Sequence, residues 1–301
     1  MTADILRWIG RHGRLALIAG LAAGLALPGL SAAIRPGLPW LVAGLIFLSA
    51  LRIGMRAAVG NLGDARASLG RVLAMQVALP VAGVVAMIVA GIADTPVGLA
   101  LTLALSAPSI AGSPAFAVML GRDPAPAMRL LILGTALFPL TVLPVLWLSP
   151  ALGGPAEVAG AALRLIAVIV AAAAAAFALR RRFFPDPSVE VIGVIDGVLA
   201  IALAVLVTGL MSAVVPALAG DPMRVLGWLA LACVLNFGLQ FAARAAGLPP
   251  GACIVAGNRN VALFLVALPA ATTDPILIFI GCYQVPMFLT PILMGRVYRD
   301  G

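Results

Sequence analysis

What confines this chain most is a succession of apolar runs, each near the twenty or so residues that carry a helix across about 30 Å of hydrocarbon. Ten can be traced, five in each half of the sequence. Those of the first half cover residues 14–34, 38–55, 72–92, 97–120 and 127–148, and those of the second cover 158–179, 191–215, 225–243, 252–271 and 276–294. The stretches between them are short and carry Pro, Gly and Asp, as in Gly121-Arg-Asp-Pro124 and Pro185-Asp-Pro187, and none has room for a soluble domain. With 63% hydrophobic and 10% charged residues and a mean hydropathy of +1.16, the chain reads as an all-α integral membrane protein of ten transmembrane helices, with the lipid bilayer as its obligatory partner.

A pI near 11.1 would point to nucleic acid in a soluble protein, but all 19 basic residues are Arg, and most of them lie between the apolar runs instead of forming one basic face, with Arg129, Arg164 and Arg259 inside runs. Threading ten spans gathers Arg7, Arg11, Arg14, Arg52, Arg56, Arg66, Arg71, Arg122, Arg180 to Arg182, Arg244, Arg296 and Arg299 on one side. Little beyond Arg35 and Arg224 falls on the other. This predicts cytoplasmic N- and C-termini in a bacterial inner membrane. The rival reading of the N-terminus is a cleaved signal peptide, with Arg7 to Arg14 as its basic region and Leu30-Ser-Ala-Ala33 as its cleavage site. Trp8, Trp40, Trp147 and Trp228 fall near span ends and are expected at the headgroup layer. Asp196, inside the seventh span, is expected to snorkel or to meet Arg180 to Arg182.

Enzyme chemistry finds little to work with. The single histidine, His12, leaves no base or ligand set for a His-dependent hydrolase or a metalloprotease. The 11 acidic residues are scattered singly, without the cluster that holds magnesium in transferases acting on phosphorylated lipids. Cys233, Cys253 and Cys282 lie alone in apolar runs, without zinc or redox spacing. No enzyme and no cofactor are expected.

Two runs are broken in their middles. Ile110-Ala-Gly-Ser-Pro-Ala-Phe-Ala-Val-Met-Leu120 and Val255-Ala-Gly-Asn-Arg-Asn-Val-Ala-Leu-Phe-Leu265 each place Gly, a small polar residue and a disruptive or charged residue where a plain span would carry Leu or Val. They are the fourth run of each half. The fifth runs agree as well, since Pro139 and Pro144 have the same spacing as Pro286 and Pro291. Paired interruptions at corresponding positions point to the binding centre of a secondary transporter. With five spans per half, residues 1–150 and 151–301 would form two inverted repeats within one membrane domain.

These features resemble the bile acid:sodium symporter family, within the wider group of arsenite permeases and auxin carriers, over nearly the whole length. The resemblance implies a panel domain from spans 1, 2, 6 and 7 and a core domain from spans 3 to 5 and 8 to 10. It also implies that helices 4 and 9 unwind where they cross, beside a crevice between core and panel. The family's helix 4 pattern, P-G-G-x-x-S-N followed by G-N or G-D, here reads Pro108-Ser-Ile-Ala-Gly-Ser113-Pro114 and then Arg122-Asp123. Its helix 9 pattern, E-x-G-x-Q-N-S-x-L, here reads Val255-Ala-Gly257-Asn-Arg259-Asn260-Val-Ala-Leu263. Of the positions that supply sodium oxygens in the family, Ser113 survives and Gln76 lies near the helix 3 position. Pro114, Val255 and Arg259 replace Asn, Glu and Gln, and the helix 5 hydroxyls fall on Ala127 and Leu131. Sodium wants several oxygens, and a guanidinium beside its site repels it. Ordinary sodium coupling is therefore expected to be lost or altered, leaving Ser113 and Gln76 as weak sodium candidates.

The expected function is a secondary active transporter of a small or amphipathic organic anion working by alternating access. The alternatives are an ordinary sodium-coupled symporter, and a channel or non-transporting sensor on the same scaffold. The candidate substrate-binding residues are Ser113, Pro114, Asn258, Arg259 and Asn260 at the crossing, with Gln76, Asn236, Gln240 and Gln284 as polar neighbours. Two roles stay open for Arg259: holding the anion, or satisfying the carbonyls that the break exposes.

Overall fold

The computed structural model describes residues 2–54 and 65–298, and every regular element in them is helical. In chain order these are α1 (Thr2–Arg11), α2 (Gly13–Ala26), α3 (Pro28–Ile34), α4 (Leu38–Ile53), α5 (Ala65–Leu73), α6 (Leu79–Val89), α7 (Pro96–Ser106) and α8 (Ser113–Met119). There follow α9 (Ala125–Thr141), α10 (Leu143–Leu148), α11 (Pro155–Phe183), α12 (Val189–Gly220), α13 (Pro222–Ala245), α14 (Pro250–Gly257), α15 (Ala270–Thr273) and α16 (Leu277–Leu293). Arg56, Arg299 and Met55, the end of the expected second span, lie outside the described residues, as does the side chain of Arg14.

Six helical runs among the described residues are long and apolar enough to cross a membrane: Pro28–Ile53, Arg66–Val89, Pro155–Phe183, Val189–Gly220, Pro222–Ala245 and Ala270–Leu293. They fit a membrane-embedded helical protein, and they correspond to expected spans 2, 3, 6, 7, 8 and 10, with Pro28–Ile53 also taking in the end of expected span 1. The other four expected spans are interrupted. The first does not run unbroken from 14 to 34, because α2 ends at Leu27, whose φ of −122° and ψ of 71° are not helical. Pro28 is the cause: its ring clashes with a helical conformation at the residue before it and favours a new helix start. Ser31 Oγ donates to Gly24 O at 2.8 Å and so satisfies a carbonyl left over by the break. The expected fifth span divides at Val142, between α9 and α10.

The chain gathers into two compact units that interleave along the sequence, one of Met1–Gly60 and Ile166–Pro222, the other of Asn61–Leu165 and Met223–Gly301. In the first, small residues let helices approach backbone to backbone, as is usual where lipid supplies no hydrophobic drive between helices. A Cβ on Gly197 of α12 would stand 2.1 Å from the carbonyl oxygen of Leu6 in α1, and one on Gly20 of α2 would stand 2.5 Å from that of Ala204. The expected partner of Asp196 is corrected: it pairs with Arg52, not with Arg180 to Arg182. Arg180 instead donates through Nη1 to the carbonyls of Leu51 and Arg52, at 2.6 and 2.7 Å. Those are among the last carbonyls of α4, which have no partner within their own helix.

In the second unit, α5 and α6 are joined by a π-helical turn over Ala74–Ala78, in which the Leu79 N–H reaches back five residues to Ala74 O. Pro80 explains it, since its ring would collide with the carbonyl four residues earlier, that of Gln76, in a regular helix. Trp228 departs from the headgroup expectation: it is buried, with its ring 5.7 Å from that of Phe279. Trp8, Trp40 and Trp147 are exposed, as amphipathic anchors would be.

Candidate functional site

The two breaks anticipated in the sequence meet in space. Helix α7 stops at Ser106 because Pro108 follows, and Ala107, the residue before that proline, is extended at φ −58° and ψ 145°. Helix α14 stops at Gly257, and Asn258 and Asn260 hold non-helical ψ angles of 83° and 67° before a 3-10 segment resumes over Val261–Val266. The unwound segments run antiparallel and share two main-chain hydrogen bonds, Ile110 N–H to Asn258 O at 3.0 Å and Asn260 N–H to Pro108 O at 2.8 Å. They form an isolated bridge between Ser109 and Arg259. Peptide groups freed by breaking a helix need partners in an apolar interior, and each break supplies them to the other.

Arg259 sits in this crossing with 1% of its surface exposed. Its Nε donates to Ala256 O at 2.7 Å and its Nη1 to Ala107 O at 3.0 Å. Those carbonyls belong to the C-terminal ends of α14 and α7, so one guanidinium serves the negative ends of two half-helices. No carboxylate pairs with it among the described residues, and its Nη2 is buried without a hydrogen-bond partner. A guanidinium nitrogen can only donate, so this edge is a buried donor without an acceptor.

Behind the crossing lies a connected set of side chains. Asn236 Nδ2 and the Tyr283 hydroxyl both donate to Gly257 O, each at 2.6 Å. Gln240 Nε2 donates to Asn236 Oδ1 at 2.8 Å, and the Tyr298 hydroxyl donates to Gln240 Oε1 at 2.9 Å. Asn258 donates through Nδ2 to Ile254 O at 2.8 Å, while its Oδ1 lies 3.2 Å from Thr290 Oγ1. Arg122 holds the Tyr298 carbonyl.

The expected residues thus divide. Asn236, Gln240, Asn258 and Arg259 are brought together at the crossing, and Asn260 contributes its main-chain N–H. Ser113 is buried in the first turn of α8 and takes a hydrogen bond from Ser109 Oγ at 2.7 Å, beside the same bridge, with Pro114 next to it in that turn. The bonds of Gln76 and Gln284 run elsewhere. Gln76 Oε1 accepts from Thr141 at 2.9 Å within the π-helical region, and Gln284 Nε2 donates to Ile280 O of its own helix at 3.1 Å. Ser109, Tyr283, Thr290 and Tyr298 were not anticipated. The tyrosines carried a signal, since the chain has only two and a phenol buried in an apolar bundle needs a polar partner. Comparison of the chain with protein-family models and with curated proteins returns no match.

Proposed function

We propose that the chain is a secondary active transporter of a small or amphipathic organic anion. It works by alternating access on a scaffold like that of the bile acid:sodium symporters, in a bacterial inner membrane, with both termini cytoplasmic. In this reading ten spans form two inverted repeats, residues 1–150 and 151–301, and Arg259 is the anion-binding group, supported by Ser113, Pro114, Asn258 and Asn260. The observation that carries it is the antiparallel meeting of two interrupted helices around a buried arginine with a free Nη2. Half-helix ends facing each other in mid-span are the device by which transporters expose backbone groups to a ligand without exposing them to lipid. The interleaving of the compact units gives further support, since each draws its spans from both halves, as panel and core would.

Sodium coupling is lost or altered in this reading. The guanidinium already occupies the carbonyls that a coupling cation would seek, and a second cation beside it is opposed by charge repulsion. The test is counterflow in proteoliposomes preloaded with candidate organic anions. Transient accumulation of labelled anion against its own gradient is the result expected of a carrier. Binding without flux would replace this reading with that of a sensor, and flux without counterflow with that of a channel.

A further inference from the structure

We propose that Tyr298, acting through Gln240 and Asn236, is a positioning residue for the crossing, so that the segment Met294–Tyr298 sets how firmly the two broken helices are joined. The inference does not depend on which ligand is carried, or on whether any is.

It follows from the direction of the hydrogen bonds. Gly257 O can only accept, so Asn236 must turn its Nδ2 toward it, which leaves Asn236 Oδ1 facing Gln240. Gln240 must then present Nε2 to Asn236, which leaves its Oε1 facing Tyr298, and the phenol must donate. One carbonyl at the end of α14 therefore fixes the orientation of two amides and one hydroxyl in series. Flipping either amide would set two oxygens against each other. Asn236, Gln240 and Tyr298 are each 0% exposed, so water cannot replace a lost link. The far end is held too: Tyr298 packs in the same apolar cluster as Ala252 to Ala256 of α14, and its carbonyl takes the Arg122 guanidinium. Replacing the phenol by a phenyl ring leaves Gln240 Oε1 as a buried acceptor without a donor. Neither amide can turn to relieve this without opposing two oxygens, so the unmet acceptor is relieved by displacement of the Gln240 and Asn236 side chains, which weakens the Asn236 bond to Gly257 O next to the bridge and leaves Tyr283 as the remaining donor there.

The test is hydrogen–deuterium exchange of the whole protein in detergent, read at the amides of Ile110 and Asn260, which carry the bridge. Tyr298→Phe is expected to speed their exchange roughly tenfold, the factor for loss of one buried hydrogen bond. Gln240→Met, which keeps the bulk and removes the relay at its middle, is expected to do the same. Val84→Ala is the control, since Val84 is buried in a different apolar cluster of the same unit. Unchanged exchange at Ile110 and Asn260 in either relay variant would overturn the inference. So would an equal increase in the control, which would mark the effect as general loosening.

Discussion

Replacing Arg259 by Ala tests both of its roles at once, and the magnitudes can be set against each other. The substitution leaves Ala107 O and Ala256 O without their side-chain donor. At about 1–3 kcal/mol for each orphaned buried acceptor, the loss is about 2–6 kcal/mol. Removing the charge also returns the desolvation that a buried guanidinium suffers, which is several kcal/mol in real proteins. That return is limited here, because the two half-helix ends already stabilise the cation by up to about 2 kcal/mol each. The net expectation is a destabilisation of about 1–3 kcal/mol, visible as a lower midpoint of thermal unfolding in detergent without ligand. Arg259→Gln, with an amide that can donate to one of the two carbonyls but carries no charge, should recover part of it. The unused Nη2 predicts a separate effect. If it binds the anion through a charge-assisted hydrogen bond worth about 1.5–3 kcal/mol, both variants lose roughly 10- to 150-fold in anion affinity, and Gln recovers none of that. An Ala variant that melts at or above the parent temperature would refute the bracing role. Unchanged anion affinity in a folded Ala variant would refute the substrate role.

Other expectations concern coupling and packing. Anion binding should hardly change when sodium is exchanged for potassium or choline at constant ionic strength, and a steep sodium dependence would show that a cation site persists beside Arg259. Gly197→Val should destabilise the protein by about 1–3 kcal/mol or more, because the new Cβ would lie 2.1 Å from the Leu6 carbonyl oxygen and force α1 from α12. Gly227→Ala on α13, where nothing lies within 4 Å, should be neutral or mildly stabilising. Thermal unfolding of the pair decides whether glycine contact holds the first unit together, and equal midpoints would reject it.

The breaks were legible in the sequence because their causes are local. Pro108 and the Gly-Asn-Arg-Asn run interrupt apolar segments that would otherwise continue, and no tertiary knowledge is needed to see it. The division of the first span was legible in principle at Leu27-Pro28, but averaging hydropathy over twenty residues hides a single disruptive residue. Partner choice was harder. Asp196 pairs with Arg52, more than a hundred residues away in sequence, because α4 and α12 share an apolar cluster through Leu51 and Ile195. Nothing in the local pattern around Asp196 selects Arg52 over Arg180 to Arg182. The supporting set at the crossing was half visible. Asn236 and Gln240 stand out as amides in an apolar run, whereas Thr290 and Tyr298 matter only because the fold brings residues 236–258 and 290–298 together.

The bridge between the breaks is made of peptide groups alone, which gives it an unusual relation to sequence change. The side chains at residues 109, 110, 258 and 260 carry neither of its hydrogen bonds, since the donors are the Ile110 and Asn260 amides and the acceptors are the Pro108 and Asn258 carbonyls. Only proline at 110 or 260, which has no N–H, would delete a bond outright. Insertion or deletion of one residue in either break would shift the pairing and disturb both. The pairing at those four positions thus depends on the number of residues in each break more than on which side chains they carry.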